Sequence, residues 1–230
     1  LVASGLGLAW GGYQLAFFVS ACGPLIGVVV LWLSLRDTPN VVHPPREGVR
    51  FGTAVLRNAR AMRLMLGYLF HSWELLGMWA WAPAFVAAAF AVSGTGSVRA
   101  VELASYVAAS FHLMGLLASF SMGRLSDRLG RRSVLFSLAS LSAACSFAFG
   151  WLIGGPLALI VLVGAVYGFS ALGDSPVLST ALTEAVSPPH LGAALALGAF
   201  LGFGAGAIAP LVFGRILDGT NGPGLFPTVW

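Results

Sequence analysis

The chain has 230 residues, of which 58% are hydrophobic and only 9% charged, against about a quarter charged in a soluble chain. So few ionisable groups cannot cover a 23.8 kDa globule, and a mean hydropathy of +0.89 makes lipid the solvent for most of the sequence. All 12 basic residues are arginine; without lysine there is no Walker A loop for an ATP-driven pump and no Schiff-base site for pyridoxal phosphate or retinal.

Six stretches reach the length of about 20 residues that a helix needs to cross a bilayer. Residues 1–8 read as the tail of an earlier helix, and the first full span is expected at 13–35. A polar stretch over 36–62 follows, carrying Asp37, Pro39, His43, Pro44, Pro45, Glu47 and several arginines. The second span is placed at 63–91, a Ser/Gly loop at 92–102, the third span at 103–123, a basic loop at 124–132 and the fourth span at 133–153. Barely a turn, 154–156, separates this from a fifth span at 157–183. Glu184-Ala185-Val186-Ser187-Pro188-Pro189 stops that helix, a sixth runs over 190–214, and 215–230 are rich in Gly and Pro.

These runs are too long for strands and lack the alternation of a membrane barrel. Backbone groups in lipid must bond internally, so the spans are helices. The fold class is therefore an all-α polytopic membrane protein. Cys22 and Cys145 lie inside apolar runs and read as small buried hydrophobes, not as disulfide or metal ligands. Residues from Leu1 onward show no basic segment of a signal peptide. The approach to Trp230 reads as the lead into another hydrophobic segment, so the sequence is read as a fragment.

Orientation follows from arginine placement. The connections 36–63 and 124–132 hold ten of the twelve arginines, while only Arg99 and Arg215 lie on the opposite side. Both connections are read as cytoplasmic. Membrane topology also accounts for the net charge of +4 and the pI near 9.7; arginines confined to two loops form no groove for nucleic acid. In the sixth span, Gly198, Gly202 and Gly206 recur every four residues, a spacing that lets helix backbones approach closely.

After the third span the sequence reads Gly123-Arg124-Leu125-Ser126-Asp127-Arg128-Leu129-Gly130-Arg131-Arg132, continuing to Leu135. This resembles the G-x-L-[AS]-D-R-x-G-R-[RK]-x-x-L signature of the major facilitator superfamily, a short basic cytoplasmic loop between two helices. The resemblance implies a conformational latch built from Gly123, Asp127, Arg128, Gly130, Arg131 and Arg132. Gly123 is expected to let a helix end pack tightly, and Asp127 to accept from Arg128, Arg131 or exposed N–H groups of the next helix. A static topogenic loop is the alternative.

A full span and a long loop precede the motif, so the order resembles helices six to eleven of twelve. On that reading, 1–35 end the amino-terminal half, 36–62 are the cytoplasmic loop between halves, and 63–230 form a carboxy-terminal bundle lacking its last helix. Residues Thr183 to Gly192 resemble the family's connection before helix eleven, with His190-Leu191 standing where an Arg-Gly pair is common.

Ionisable groups inside spans cost roughly 2.5–3.5 kcal/mol on insertion scales, which makes each a candidate site. Here they are His71, Glu74, His112 and Asp174. At ~1.5 Å rise per residue, Glu74, His112 and Asp174 each lie about 14–16 Å from the nearest cytoplasmic helix end, near the middle of a ~30 Å core. His71 and Glu74 share a face continued by Met78, Trp81 and Phe85; Ser105, His112 and Ser119 form a second stripe, and Tyr167, Ser170 and Asp174 a third. Pro176 is expected to kink or open the fifth span. Midplane groups beside interrupted helices are where secondary transporters bind, so the candidates for substrate or proton coupling are Glu74, Asp174, His71, His112, Trp81 and Tyr167.

Glu74 is expected to carry the proton, steadied by His71, with Asp174 as second choice. Structural roles stand beside these: a Glu74–His71 pair, a His112 bond to a backbone carbonyl, Asp174 capping a broken helix, and Trp79 and Trp81 as packing. The function expected is secondary transport of a small solute by alternating access, coupled to protons, in a bacterial inner membrane. The partners would be substrate, protons, lipids and the missing amino-terminal half. A polytopic membrane enzyme is the alternative, but HExxH, GxSxG and paired metal spacings are absent from the sequence, so no catalytic residue, metal or cofactor is expected; a transporter-like receptor remains a further alternative.

Overall fold

The computed structural model describes residues 12–39, 52–221 and 230. The expected helix tail at 1–8, the middle of the 36–62 loop and residues 222–229 lie outside the described residues. The chain divides into two units, Leu1–Pro44 and Pro45–Trp230. The first holds α1 (Gly12–Leu35), an apolar helix with Pro24 inside it. Beyond its end, Arg36 pairs with Asp37 at 3.0 Å.

The second unit holds a π-helical turn, Gly52–Leu56, and five long helices: α2 (Ala59–Val92), α3 (Ser97–Leu129), α4 (Arg131–Trp151), α5 (Leu157–Ala185) and α6 (Pro188–Thr220). With α1, six helices among the described residues are long and apolar enough to cross a membrane. Their ends follow local chemistry. Asn58 caps α2, its Oδ1 accepting from the Arg60 and Ala61 amides at 3.1 Å, which answers two of the helix's orphan donors. The same side chain donates through Nδ2 to the Ala185 carbonyl at 2.7 Å, tying the start of α2 to the end of α5. Pro188 opens α6, where a missing N–H costs nothing.

Several boundaries differ from expectation: α3 starts at Ser97, inside the expected 92–102 loop, and α6 runs to Thr220 rather than 214. α2 begins at Ala59, so the last residues of the 36–62 stretch are helical, and α3 runs on to Leu129. Hydropathy marks where side chains leave lipid, but backbone hydrogen bonds continue into water. The expected 124–132 loop is in fact a one-residue break at Gly130, whose φ of +86° suits glycine and few other residues. The helix α5 also continues through Pro176 without interruption, so the expected opening there does not occur.

Packing is organised by two extensive helix pairs, α2 with α6 and α3 with α5; α4 lies against α5. The glycine stripe of α6 is one seam. A Cβ on Gly202 would stand 2.6 Å from the Tyr68 ring and 2.7 Å from Ser72 Oγ, and one on Gly206 would stand 3.0 Å from the Ser72 carbonyl. Close backbone approach at these positions is what the four-residue spacing implied. Phe85, Phe111, Phe149 and Tyr167 fill one core, while Val55, Met65, Leu182 and Ala194 fill another beside the π-helical turn. Outward faces carry Phe120, Phe136, Phe147, Trp151 and Phe200, each about three-quarters exposed. Such a surface suits hydrocarbon.

Candidate functional site

α2, α4 and α5 converge on two small polar clusters inside the bundle. In the first, His71 Nδ1 of α2 stands 2.8 Å from Asp174 Oδ1 of α5, with side chains 4% and 14% exposed. The approach is close but not along an N–H direction, since Asp174 Oδ1 has no hydrogen bond of good geometry. Tyr68 lies beside the imidazole, ring centroids 5.6 Å apart. In the second cluster, Ser142 Oγ of α4 donates to Glu74 Oε1 at 2.7 Å, and the Tyr167 hydroxyl of α5 engages both Glu74 and Ser146. The two carboxylates also feel each other electrostatically.

The expected pairing of His71 with Glu74 is therefore corrected. The two sit one turn apart on α2, but His71 meets Asp174 while Glu74 meets Ser142 and Tyr167. Residues at i and i+3 share a face; a small tilt across that face sends them to different neighbouring helices. Asp174 does not cap a broken helix either, because α5 is continuous.

The other candidates are not brought to this centre. His112 is exposed; its Nδ1 lies 3.0 Å from its own helix's Ala108 carbonyl, and its ring stacks on Trp79 at 5.1 Å. Ser105, Ser119 and Ser170 likewise bond to carbonyls of their own helices. Trp81 Nε1 donates to the Pro210 carbonyl at 3.0 Å, fastening α2 to α6. Met78, Trp81, Phe85 and Tyr167 do share one surface, the wall of an aromatic cavity of about 260 Å³. A larger cavity of about 580 Å³ is bordered by Asp174 and by Arg60, Arg63, Arg131 and Arg132.

At the α3–α4 break the motif forms a compact ion cluster. Arg131 reaches Asp127 at 2.6 Å and, with its other terminal nitrogen, Glu184 at the end of α5 at 2.9 Å. Arg131 also donates to Ser126 Oγ, and Ser126 Oγ donates to the Gly123 carbonyl at 2.7 Å. Of the expected donors to Asp127, Arg131 is thus the one used. Gly123 does not serve tight packing here: a Cβ there would meet nothing within 4 Å. Sequence reasoning missed Ser142, Ser146 and Glu184 as members of these clusters. Ser142 and Ser146 are four apart on α4, a same-face spacing that carried the signal.

Long apolar helices with carboxylates between them, and a salt-bridged break between two of them, make a polytopic membrane-type helical bundle. Sequence comparison agrees: the family profile described as Major Facilitator Superfamily matches residues 1–210. The chain belongs to the major facilitator superfamily, a family of transporters. It is similar to the inner membrane transport protein RhmT of Escherichia coli (strain K12), with 28% identity over 157 residues, 68% of this chain and 35% of that protein. The chain thus spans about a third of the length of the curated relative it matches. No solved structure matches.

Proposed function

We propose that the complete protein is a secondary transporter that moves a small solute by alternating access, coupled to protons, in the inner membrane of a bacterium. The observation that carries this is the pair of half-buried carboxylates, Glu74 and Asp174, brought from two helices into neighbouring polar clusters within a bundle of this family. RhmT is itself named as an inner membrane transport protein, which supports the compartment.

Within that reading, Asp174 rather than Glu74 is the first candidate for the coupling proton. Asp174 borders the 580 Å³ cavity and stands 2.8 Å from the His71 imidazole. Glu74 is instead held by the Ser142 hydroxyl of α4, which anchors the carboxylate in one place. The Arg131 cluster would then be made in one facing state and broken in the other, as the motif implies. Proteoliposomes holding the complete protein, given its substrate and an imposed pH gradient, test the assignment. Asp174→Asn should abolish gradient-driven accumulation and leave substrate exchange measurable. Full pH-driven accumulation by both Asp174→Asn and Glu74→Gln would end the proton-coupled reading.

A further inference from the structure

The 580 Å³ cavity has a second character that proton coupling does not use. Four arginines line it: Arg60 and Arg63 from the first turns of α2, and Arg131 and Arg132 from the first turn of α4. Arg131 is already matched by Asp127 and Glu184. Arg60, Arg63 and Arg132 have no carboxylate partner among the described residues; Arg63 spends only its Nε, on the Ala59 carbonyl at 3.0 Å. Asp174, the one acid on the cavity wall, is held against His71. Three arginines at helix ends therefore border one space, each without a carboxylate partner among the described residues.

The remaining wall is apolar. Leu64, Leu135, Phe136 and Ala139 line it, and Phe136 is 74% exposed, so the wall runs out onto the hydrocarbon-facing side of α4. A site that is cationic at the helix ends and greasy toward the bilayer matches an amphiphile lying in the leaflet. A free inorganic anion would satisfy the arginines and leave the apolar wall uncovered. The volume also falls in the ~300–1,000 Å³ range of small-molecule sites, which exceeds what one phosphate ion needs. Basic pockets between membrane helices at the arginine-rich face hold anionic headgroups.

We propose that this cavity binds an anionic phospholipid of the arginine-rich leaflet. Its headgroup phosphate sits among Arg60, Arg63 and Arg132, and an acyl chain lies along Leu64, Leu135 and Phe136. Arg132 then acts beside the Arg131 cluster without belonging to it. A lipid in this place bridges α2 and α4, two helices that touch each other little and meet mainly through α5.

The test uses the complete protein, delipidated in detergent and titrated with phosphatidylglycerol or phosphatidylcholine under native mass spectrometry. Phosphatidylglycerol should be retained at a defined stoichiometry and phosphatidylcholine should not. Each arginine near an anionic lipid contributes roughly fivefold in affinity, so Arg60→Gln/Arg63→Gln/Arg132→Gln should weaken phosphatidylglycerol binding on the order of 100-fold. The single variants Arg63→Gln and Arg132→Gln, each expected to lose about fivefold, carry the test if the triple variant does not fold. Arg57→Gln/Arg124→Gln, which removes the same kind of charge outside the cavity, should bind as wild type. Equal losses in the two multiple variants would mean a diffuse basic surface and overturn the site. So would unchanged binding in the cavity variants, or displacement of the lipid by millimolar inorganic phosphate.

Discussion

Gly202 and Gly204 lie two residues apart on α6, yet they should respond to alanine with opposite signs. A Cβ at Gly202 would stand 2.6 Å from the Tyr68 ring and 2.7 Å from Ser72 Oγ, whereas one at Gly204 would meet nothing within 4 Å. Ordinary contact needs about 3.4 Å or more, so Gly202→Ala must push α2 and α6 apart by most of an ångström or swing Tyr68 away. Overpacking of this kind costs about 1–3 kcal/mol, offset by up to ~1 kcal/mol from the better helix propensity of alanine. Gly204→Ala gains the propensity term alone. The two variants should therefore differ by about 1–3 kcal/mol, with Gly202→Ala the less stable. Denaturation of the complete protein by SDS titration in mixed micelles reads this as a shift in midpoint. If the two midpoints coincide, or Gly204→Ala is the weaker, the glycine stripe is not the close seam between α2 and α6.

Further outcomes follow from the same geometry. Asp127→Asn and Glu184→Gln each remove one arm of the Arg131 cluster, and both should slow transport by the complete protein far more than they reduce its folded yield; normal transport at normal abundance would leave the cluster as a topological signal only. Gly130→Ala forces a side chain onto φ +86°, ψ 143° and should destabilise the fold by about 1–3 kcal/mol, seen as a lower melting midpoint than that of Gly123→Ala, which meets nothing. Single cysteines at Glu47 and Thr95 should react with an impermeant reagent from opposite faces, and equal labelling from outside would overturn the orientation read from the arginines.

The helices were legible because crossing a bilayer demands a long apolar run, and six such runs stand out from so few charges. Their ends were less so. α3 continues through Arg124 and Arg128 to Leu129, since nothing in the backbone stops where the lipid does; only Gly130, with its positive φ, breaks the helix. Periodicity also found the right faces but not the right partners. It placed His71 beside Glu74 on α2, which is correct, yet could not say that one meets α5 and the other α4 as well. Ser142 and Ser146 were hidden because α4 also carries Ser133, Ser137 and Ser140, and a serine announces nothing until a carboxylate is seen across from it. Glu184 was read as part of a helix stop; its role depends on Arg131, 53 residues away in sequence.

The position of Glu184 gives α5 a particular place in the bundle. Asp174 and Glu184 lie ten residues apart on the same helix, or about 15 Å along its axis at ~1.5 Å per residue. One faces His71 in the interior, and the other holds Arg131 at the helix end. Because α5 is uninterrupted at Pro176, with Thr180 Oγ1 donating to the Pro176 carbonyl at 2.8 Å, the two charges sit on one continuous helix. The end of that helix is also tied to the start of α2 through Asn58 and the Ala185 carbonyl, and α2 carries His71 and Glu74. A change of charge at Asp174 that shifts α5 against α2 must therefore act on the Asn58 bond and the Arg131 cluster together. That is the physical route by which a proton in the interior would be felt at the α3–α4 break, and it needs no element beyond one unbroken helix and the polar contacts at its end.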